Sequence, residues 1–194
     1  MPYQKQMELG AIILSGGKSS RFGADKGLYH FKGKELIQYA IDICKAFTSE
    51  IIIIADNHDY TKFGFPIFAD IYPNSGPMGG IHSGLFNSKS QLNIVLSCDT
   101  PFVDKQLLQM MIDKYSDEEV CIAQTPDGKY QPLIGLYRNE IASDLEEELK
   151  QNHFKMIHFI KQRKHQFFDI PNEHSFNKSF INFNYLSEAQ RYEY

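Results

Sequence analysis

Ala11-Ile12-Ile13-Leu14-Ser15-Gly16-Gly17-Lys18-Ser19-Ser20-Arg21-Phe22-Gly23-Ala24-Asp25-Lys26 opens on four consecutive apolar residues and stops abruptly at Ser-Gly-Gly. A run that is apolar at every position, rather than at alternate ones, is the pattern of a strand buried on both faces, and such strands sit in sheets covered by helices. Downstream, Leu28 to Phe31 and a turn at Lys32-Gly33-Lys34 lead into a helix on which Leu36, Ile37, Ala40, Ile41, Cys44 and Phe47 recur at helical spacing. Further apolar runs at Ile51–Ile54, Pro66–Ala69 and Asn93–Leu96 predict strands two, three and four. Helices are predicted between and after them at Gly80–Asn87 and Lys105–Tyr115. Strand alternating with helix implies a three-layer, Rossmann-like α/β fold with a mostly parallel sheet, whose ligands bind where the carboxyl ends of the strands open into a crevice.

The rhythm then changes. Val120–Ala123 and Leu133–Tyr137 read as strands joined by the turn Pro126-Asp127-Gly128-Lys129, a link short enough to make them an antiparallel pair. Ile141, Leu145 and Leu149 mark one helix, with Glu146-Glu147-Glu148 on its solvated side, and Met156, Ile157, Phe159 and Ile160 mark another. Short apolar pieces recur at Phe167-Phe168 and Phe180-Ile181, with no internal repeat. A chain of 194 residues with 42% hydrophobic content is expected to fold as one domain over 1–194, with residues 1–9 flexible.

Composition narrows the function. A formal net charge of -4 supplies no basic field for nucleic acid. The three cysteines, Cys44, Cys98 and Cys121, are odd in number and contain no Cys-x-x-Cys, so they read as small buried hydrophobes of a reducing compartment. The polar start Met1–Gly10 lacks an apolar signal core, and no stretch reaches the roughly 18 apolar residues of a membrane span, so a cytoplasmic protein without a membrane partner is expected. His153 and His158 stand five apart, the wrong spacing to share a helix face as a zinc pair.

The chemistry lies after the first strand. Consecutive glycines let backbone N–H groups face a phosphate, and Lys18, Arg21 and Lys26 add positive charge, which counts against a plain tight turn. A Walker A loop would need glycine at position 12, which is Ile12, and Gly-x-Gly-x-x-Gly is not matched by Gly16-Gly17-Lys18-Ser19-Ser20-Arg21. Two further blocks follow strands. Asp70-Ile71-Tyr72-Pro73-Asn74-Ser75-Gly76-Pro77-Met78-Gly79-Gly80 puts Pro and Gly around a helix start, suited to a ring edge or phosphate, while Asp70 alone could equally cap a turn. Ser97-Cys98-Asp99-Thr100-Pro101 sets a carboxylate at the mouth of a buried strand, costly there without a partner. A hard divalent cation shared with substrate phosphates is the usual one, whereas the cap of the next helix is better filled by Asp104.

Leu-x-Gly-Gly-x-Ser-x-Arg-Phe-Gly-x-Asp-Lys resembles the signature of the MobA family of molybdenum cofactor guanylyltransferases. Asp70 to Gly80 resembles that family's Asp-x-x-x-x-x-Gly-Pro-x-x-Gly block. Gln131 to Tyr137 and Phe180-Ile181-Asn182-Phe183-Asn184 resemble its later segments, with Asn182 and Asn184 expected on one side of a strand. The resemblance implies a nucleotidyltransferase fold with a nucleotide site of Leu14, Ser15, Gly16, Gly17, Lys26, Asp70, Gly76, Gly79, Asp99, Asn182 and Asn184. It further implies Lys26, Arg21 and Asp99 in catalysis and Asp99 as ligand of Mg2+. Lys26 is expected to be solvated when no nucleotide is bound. Three departures stand out: Ser15 where the family usually has Ala, Ile54-Ala55-Asp56-Asn57 at a corner that commonly carries Asn, and Tyr185-Leu186 in place of Thr-Pro ahead of Glu188.

The reaction implied is attack of the terminal phosphate of molybdopterin, with or without molybdenum, on the α-phosphorus of GTP, with transient contacts to other cofactor-biosynthesis proteins or apo-molybdoenzymes. The rivals are a cytidylyltransferase of the same cofactor, a sugar-phosphate nucleotidyltransferase, and a non-catalytic nucleotide or cofactor carrier. Retention of Lys26 and Asp99 favours an enzyme.

Overall fold

The computed structural model describes residues 7–16, 25–171 and 176–193. Seven strands form one sheet: β1 (Leu9–Leu14), β4 (Ile51–Ile54), β5 (Ile67–Phe68), β6 (Leu92–Ser97), β7 (Val120–Gln124), β8 (Tyr130–Arg138) and β9 (His165–Asp169). Their spatial order is β5-β4-β1-β6-β8-β7-β9, and β2 (His30–Phe31) with β3 (Lys34–Glu35) makes a separate antiparallel hairpin. Only β8 runs against its neighbours, pairing antiparallel with β6 and β7. β1 sits at the centre of the parallel part, with Ile12 opposite Ile52 on one side and Val95 on the other.

The apolar run of β1 is divided between two cores. Ala11 and Ile13 face a core with Ile37, Ala40 and Ile41 of α1 (Leu36–Cys44) and Leu107, Leu108 and Met111 of α3 (Lys105–Lys114). Ile12 and Leu14 face the opposite core, with Met78, Ile81 and Leu85 of α2 (Gly76–Asn87), Leu145 and Leu149 of α4 (Ala142–Lys150), and Phe159 and Ile160 of α5 (Met156–Lys161). Burial on both faces is therefore the reason the run is continuous, and each buried Ile or Leu adds about 1.5–3 kcal/mol of transfer free energy. All three cysteines are free and buried, and burial pushes the thiols of Cys44, Cys98 and Cys121 up to about 12, as suits inert core residues.

Three expectations need correction, and one short apolar piece gains a place. α2 starts at Gly76, not Gly80: Gly76 enters at a positive φ of 61° and Pro77 takes a first-turn position where its missing N–H costs nothing, so residues that read as loop are the opening turn. β8 is longer than Leu133–Tyr137, because its register against β7 shifts between Ile122 and Ala123 and pairing continues to Tyr130. β9 pairs parallel with β7, giving the Phe167-Phe168 piece a place in the sheet. Residues 180–184, expected as a strand, form none. A 3-10 turn at Asn177–Phe180 runs into an extended segment, and α6 (Leu186–Gln190) follows. Phe183 is fully buried between exposed Asn182 and Asn184, so the alternation comes from packing rather than sheet pairing.

Among the described residues no helix is long and apolar enough to cross a membrane.

Candidate active site

The carboxyl ends of the parallel strands β1, β4, β5 and β6 lie along one edge of the sheet, and each reaches a polar residue within two positions: Ser15, Asp56, Asp70 and Asp99. After β1 come Ser15 and Gly16, with the Ser15 N–H donating to Ile54 O at 2.9 Å. After β6 comes Cys98, whose N–H donates to Leu14 O at 3.0 Å, and then Asp99. Asp99 Oδ2 accepts from Lys26 Nζ at 2.8 Å, which joins two motifs 73 residues apart. Both side chains are largely shielded, 19% exposed for Lys26 and 15% for Asp99. Lys26 is thus ion-paired rather than solvated: a carboxylate at the mouth of a buried strand needs a partner, and the ammonium supplies it.

Asp25, in the sequence only a fallback candidate for the metal behind Asp99, is a node. Its Oδ2 accepts from Asn57 Nδ2 at 2.9 Å, and its Oδ1 accepts from Gly27 N at 3.2 Å and from the hydroxyl of Tyr60. Asn57 Oδ1 also accepts from Asp59 N at 2.9 Å, capping a 3-10 helix at His58–Phe63. The departed corner after β4 is therefore committed to holding Asp25. A signal was present in the Asn57-x-Asp59 spacing of an N-cap, but not its link to Asp25.

Asp70 follows β5 and is half-buried. Its carboxylate takes the Tyr72 N–H, and Ser83 Oγ of α2 lies 3.0 Å from its Oδ1. Burial raises its pKa above the usual carboxylate range, and the nearby Asp56 charge raises it further. Gly79 is needed because a Cβ there would stand 2.7 Å from Tyr72 O and 3.0 Å from Asp70 Oδ1. Gly76 instead supplies the positive φ that begins α2.

The C-terminal segment reaches the same edge through its backbone, where Phe183 N donates to Asp99 O at 2.9 Å. Phe183 is held by rings of Phe31 at 5.0 Å and Phe102 at 5.7 Å, both edge-on, while Tyr192 stands at 5.8 Å. Glu188 Oε2 accepts from Asn184 N at 2.6 Å and Tyr185 N at 3.0 Å, so this carboxylate closes the start of α6. The structure thus brings together Leu14, Ser15, Gly16, Lys26 and Asp99, with the Asn182–Asn184 backbone tied to Asp99, while Asp70, Gly76 and Gly79 line the β5–α2 connection. Gly17 and Arg21 lie outside the described residues. Asp104 Oδ1 accepts from Gln106 N at 2.7 Å and caps α3, as its position predicts.

No group of three or more His, Cys, Asp or Glu among the described residues is arranged to hold a metal ion. A single carboxylate such as Asp99 still suits a hard cation that keeps most of its ligands as phosphate oxygens and water, the usual arrangement in phosphate chemistry.

Residues 11–166 match the MobA-like NTP transferase domain. The chain is 33% identical to a molybdenum cofactor guanylyltransferase of Vibrio vulnificus, with 93% of each chain covered. It is 32% identical to a protein of Flavobacterium johnsoniae named "Probable molybdenum cofactor guanylyltransferase", covering 90% of this chain and 92% of that one. In fold it resembles the molybdopterin-guanine dinucleotide biosynthesis protein A of Archaeoglobus fulgidus, with a TM-score of 0.78 at 20% identity over 95% and 96% of the two chains. The match over residues 11–166 and the identity to these relatives show that the chain belongs to the MobA-like NTP transferase family and is a nucleotidyltransferase.

Proposed function

We propose that this enzyme transfers GMP from GTP to molybdopterin, releasing pyrophosphate and forming the guanine dinucleotide cofactor. The observation that carries the reading is the 2.8 Å contact of Lys26 with Asp99 at the carboxyl edge of β1 and β6, a cation and an anion set together where the fold class binds nucleotides. The names of the relatives favour guanylyl over cytidylyl transfer.

In this reading an oxygen of the molybdopterin phosphate forms a bond to the α-phosphorus of GTP while the bond from that phosphorus to the α,β-bridging oxygen breaks. A phosphate monoester has a second pKa near 6, so the nucleophile is largely dianionic at neutral pH and no general base is required. The protein's part is positioning and charge compensation. The N–H groups of the Leu14–Gly17 loop cradle the nucleotide, and Lys26, with Arg21, meets the phosphates. Asp99, still in contact with Lys26, would hold the metal. Asp70 and the Gly76–Gly79 turn complete the nucleotide side, and Asn182 and Asn184 flank Asp99 from the C-terminal segment. A divalent cation, magnesium in our reading, neutralises charge on the departing pyrophosphate when bound. The enzyme works in the cytoplasm, with transient contacts to proteins that supply or receive the cofactor.

The test is a nucleotide panel. Wild-type protein with molybdopterin and magnesium is given GTP, CTP or UTP, and pyrophosphate is measured. GTP is expected to be turned over fastest, and equal or better turnover with CTP would overturn the guanylyl assignment.

A further inference from the structure

Tyr60 is fully buried in the core beneath the site, yet its hydroxyl has two polar partners at the functional edge of the sheet. Ser15 Oγ lies 2.7 Å from it, and Asp25 Oδ1 is its other partner. The direction of the protons follows. A phenol carries one proton and an ionised carboxylate only accepts, so Tyr60 donates to Asp25 and Ser15 donates to Tyr60. Burial, then the bond to Asp25, push the phenol pKa far up, which keeps it a donor.

This relay closes on Gly27. A Cβ at Gly27 would collide with both Ser15 Oγ and the Tyr60 hydroxyl, so the three residues fit one another only when position 27 is glycine. Lys26 is bracketed as a result. The residue before it is clamped through both carboxylate oxygens by Tyr60, Asn57 and the Gly27 N–H, and the residue after it is seated on Ser15 and Tyr60. Ser15 stands where the family usually has Ala, so the full relay belongs to this chain rather than to the resemblance.

We propose that Tyr60 is a positioning residue for nucleotidyl transfer: its hydroxyl, oriented by Ser15, fixes Asp25 and Gly27 and thereby sets Lys26 where it meets both Asp99 and the incoming triphosphate. The inference rests on the nucleotide role given to Lys26 above.

A double-mutant cycle tests it, with Kd for the nucleoside triphosphate as the readout and melting temperature alongside. Tyr60→Phe keeps the ring and removes the hydroxyl. It is expected to weaken GTP binding about 10-fold, the scale of one lost hydrogen bond to a charged group. In a Lys26→Ala background the same change should alter Kd by less than about 2-fold, because nothing remains to position. An undiminished 10-fold loss there, or a normal Kd in Tyr60→Phe, would overturn the proposal and leave Tyr60 as packing alone. If Tyr60→Phe does not fold, Ser15→Ala takes its place in the cycle. It leaves the Tyr60 bond to Asp25 intact, so a smaller loss, about 3-fold, is expected with Lys26 and none without it; the same loss in both backgrounds overturns the proposal. Should wild type bind another nucleoside triphosphate and not GTP, the guanylyl reading fails, and the cycle is read with the nucleotide that binds.

Discussion

Two regions meet at Asp99, and they are held in opposite ways. On the strand side, Lys26, Asp25, Asn57, Tyr60 and Ser15 are fixed by hydrogen bonds and charge, each polar group answering another. On the C-terminal side, Phe183 sits in an aromatic cluster with Phe31 and Phe102, and it contributes to the site mainly through its backbone N–H on Asp99 O. A polar network can hand its partners to a ligand because its bonds exchange for equivalent ones. An apolar cluster cannot exchange with an anion, so it acts as an abutment. The first region should therefore govern turnover, and the second should govern stability.

The largest effect expected from separating them is on the apolar side. Phe183→Ala should cost about 3 kcal/mol of stability, the low end for a buried phenylalanine, since its cluster lies at the margin of the molecule. GTP affinity should stay within about 2-fold of wild type once the protein is kept below its melting transition. A normal melting temperature with lost GTP binding would reverse the division of labour.

Asp99→Asn works from the other side and is slightly smaller in free energy. It keeps the shape and removes the charge that both Lys26 and a hard cation require. Turnover should fall about 100-fold, or about 2.7 kcal/mol of transition-state stabilisation. Stability should fall by only about 1 kcal/mol, because the pair keeps some contact with water. Normal turnover with unchanged magnesium dependence would remove Asp99 as the ligand. Asp25, with both carboxylate oxygens already engaged, is a poor substitute, and Asp70 would be the one to test.

The same contrast explains what could be read from the sequence. Strands buried on both faces leave an unbroken apolar run, so β1, β4 and β6 were legible, and so was the acidic residue, Asp99, that follows β6. Motif residues such as Lys26 and Asp99 were identified singly, but their pairing depends on β1 and β6 being neighbours with their ends level, which spacing does not encode. The relay through Tyr60 was not legible either. Its tyrosine sits in a short 3-10 helix with no periodicity to mark a buried face, and tyrosine reads as core as readily as it reads as a donor. The alternation of Asn182, Phe183 and Asn184 looks the same whether a sheet or an aromatic cluster holds the middle residue, and here the cluster does.

The smallest effect expected is at Asp70, where the two roles pull apart within one side chain. Its pKa is raised in the fold by burial and by Asp56, so the folded protein holds the carboxyl proton more tightly than the unfolded chain does. Between the unfolded value, near 3.9, and the raised folded value, the native state binds more protons, and stability therefore falls as pH rises through that window. Above it the carboxylate is ionised in both states and the penalty is present in full. Asp70→Asn removes that charge, though it also weakens the acceptor for the Tyr72 N–H, which offsets part of the gain. The melting temperature at neutral pH should rise by only about 1–2 °C over wild type, and the difference should shrink as pH is lowered towards 4. If Asp70 serves the nucleotide site as proposed, GTP affinity should fall in the same variant, because an amide presents a donor in place of an acceptor. A melting temperature that drops at neutral pH and recovers in acid would mean that the ionised carboxylate stabilises the β5–α2 connection. Asp70 would then belong with the structural abutments rather than with the groups kept, at some cost in stability, for the ligand.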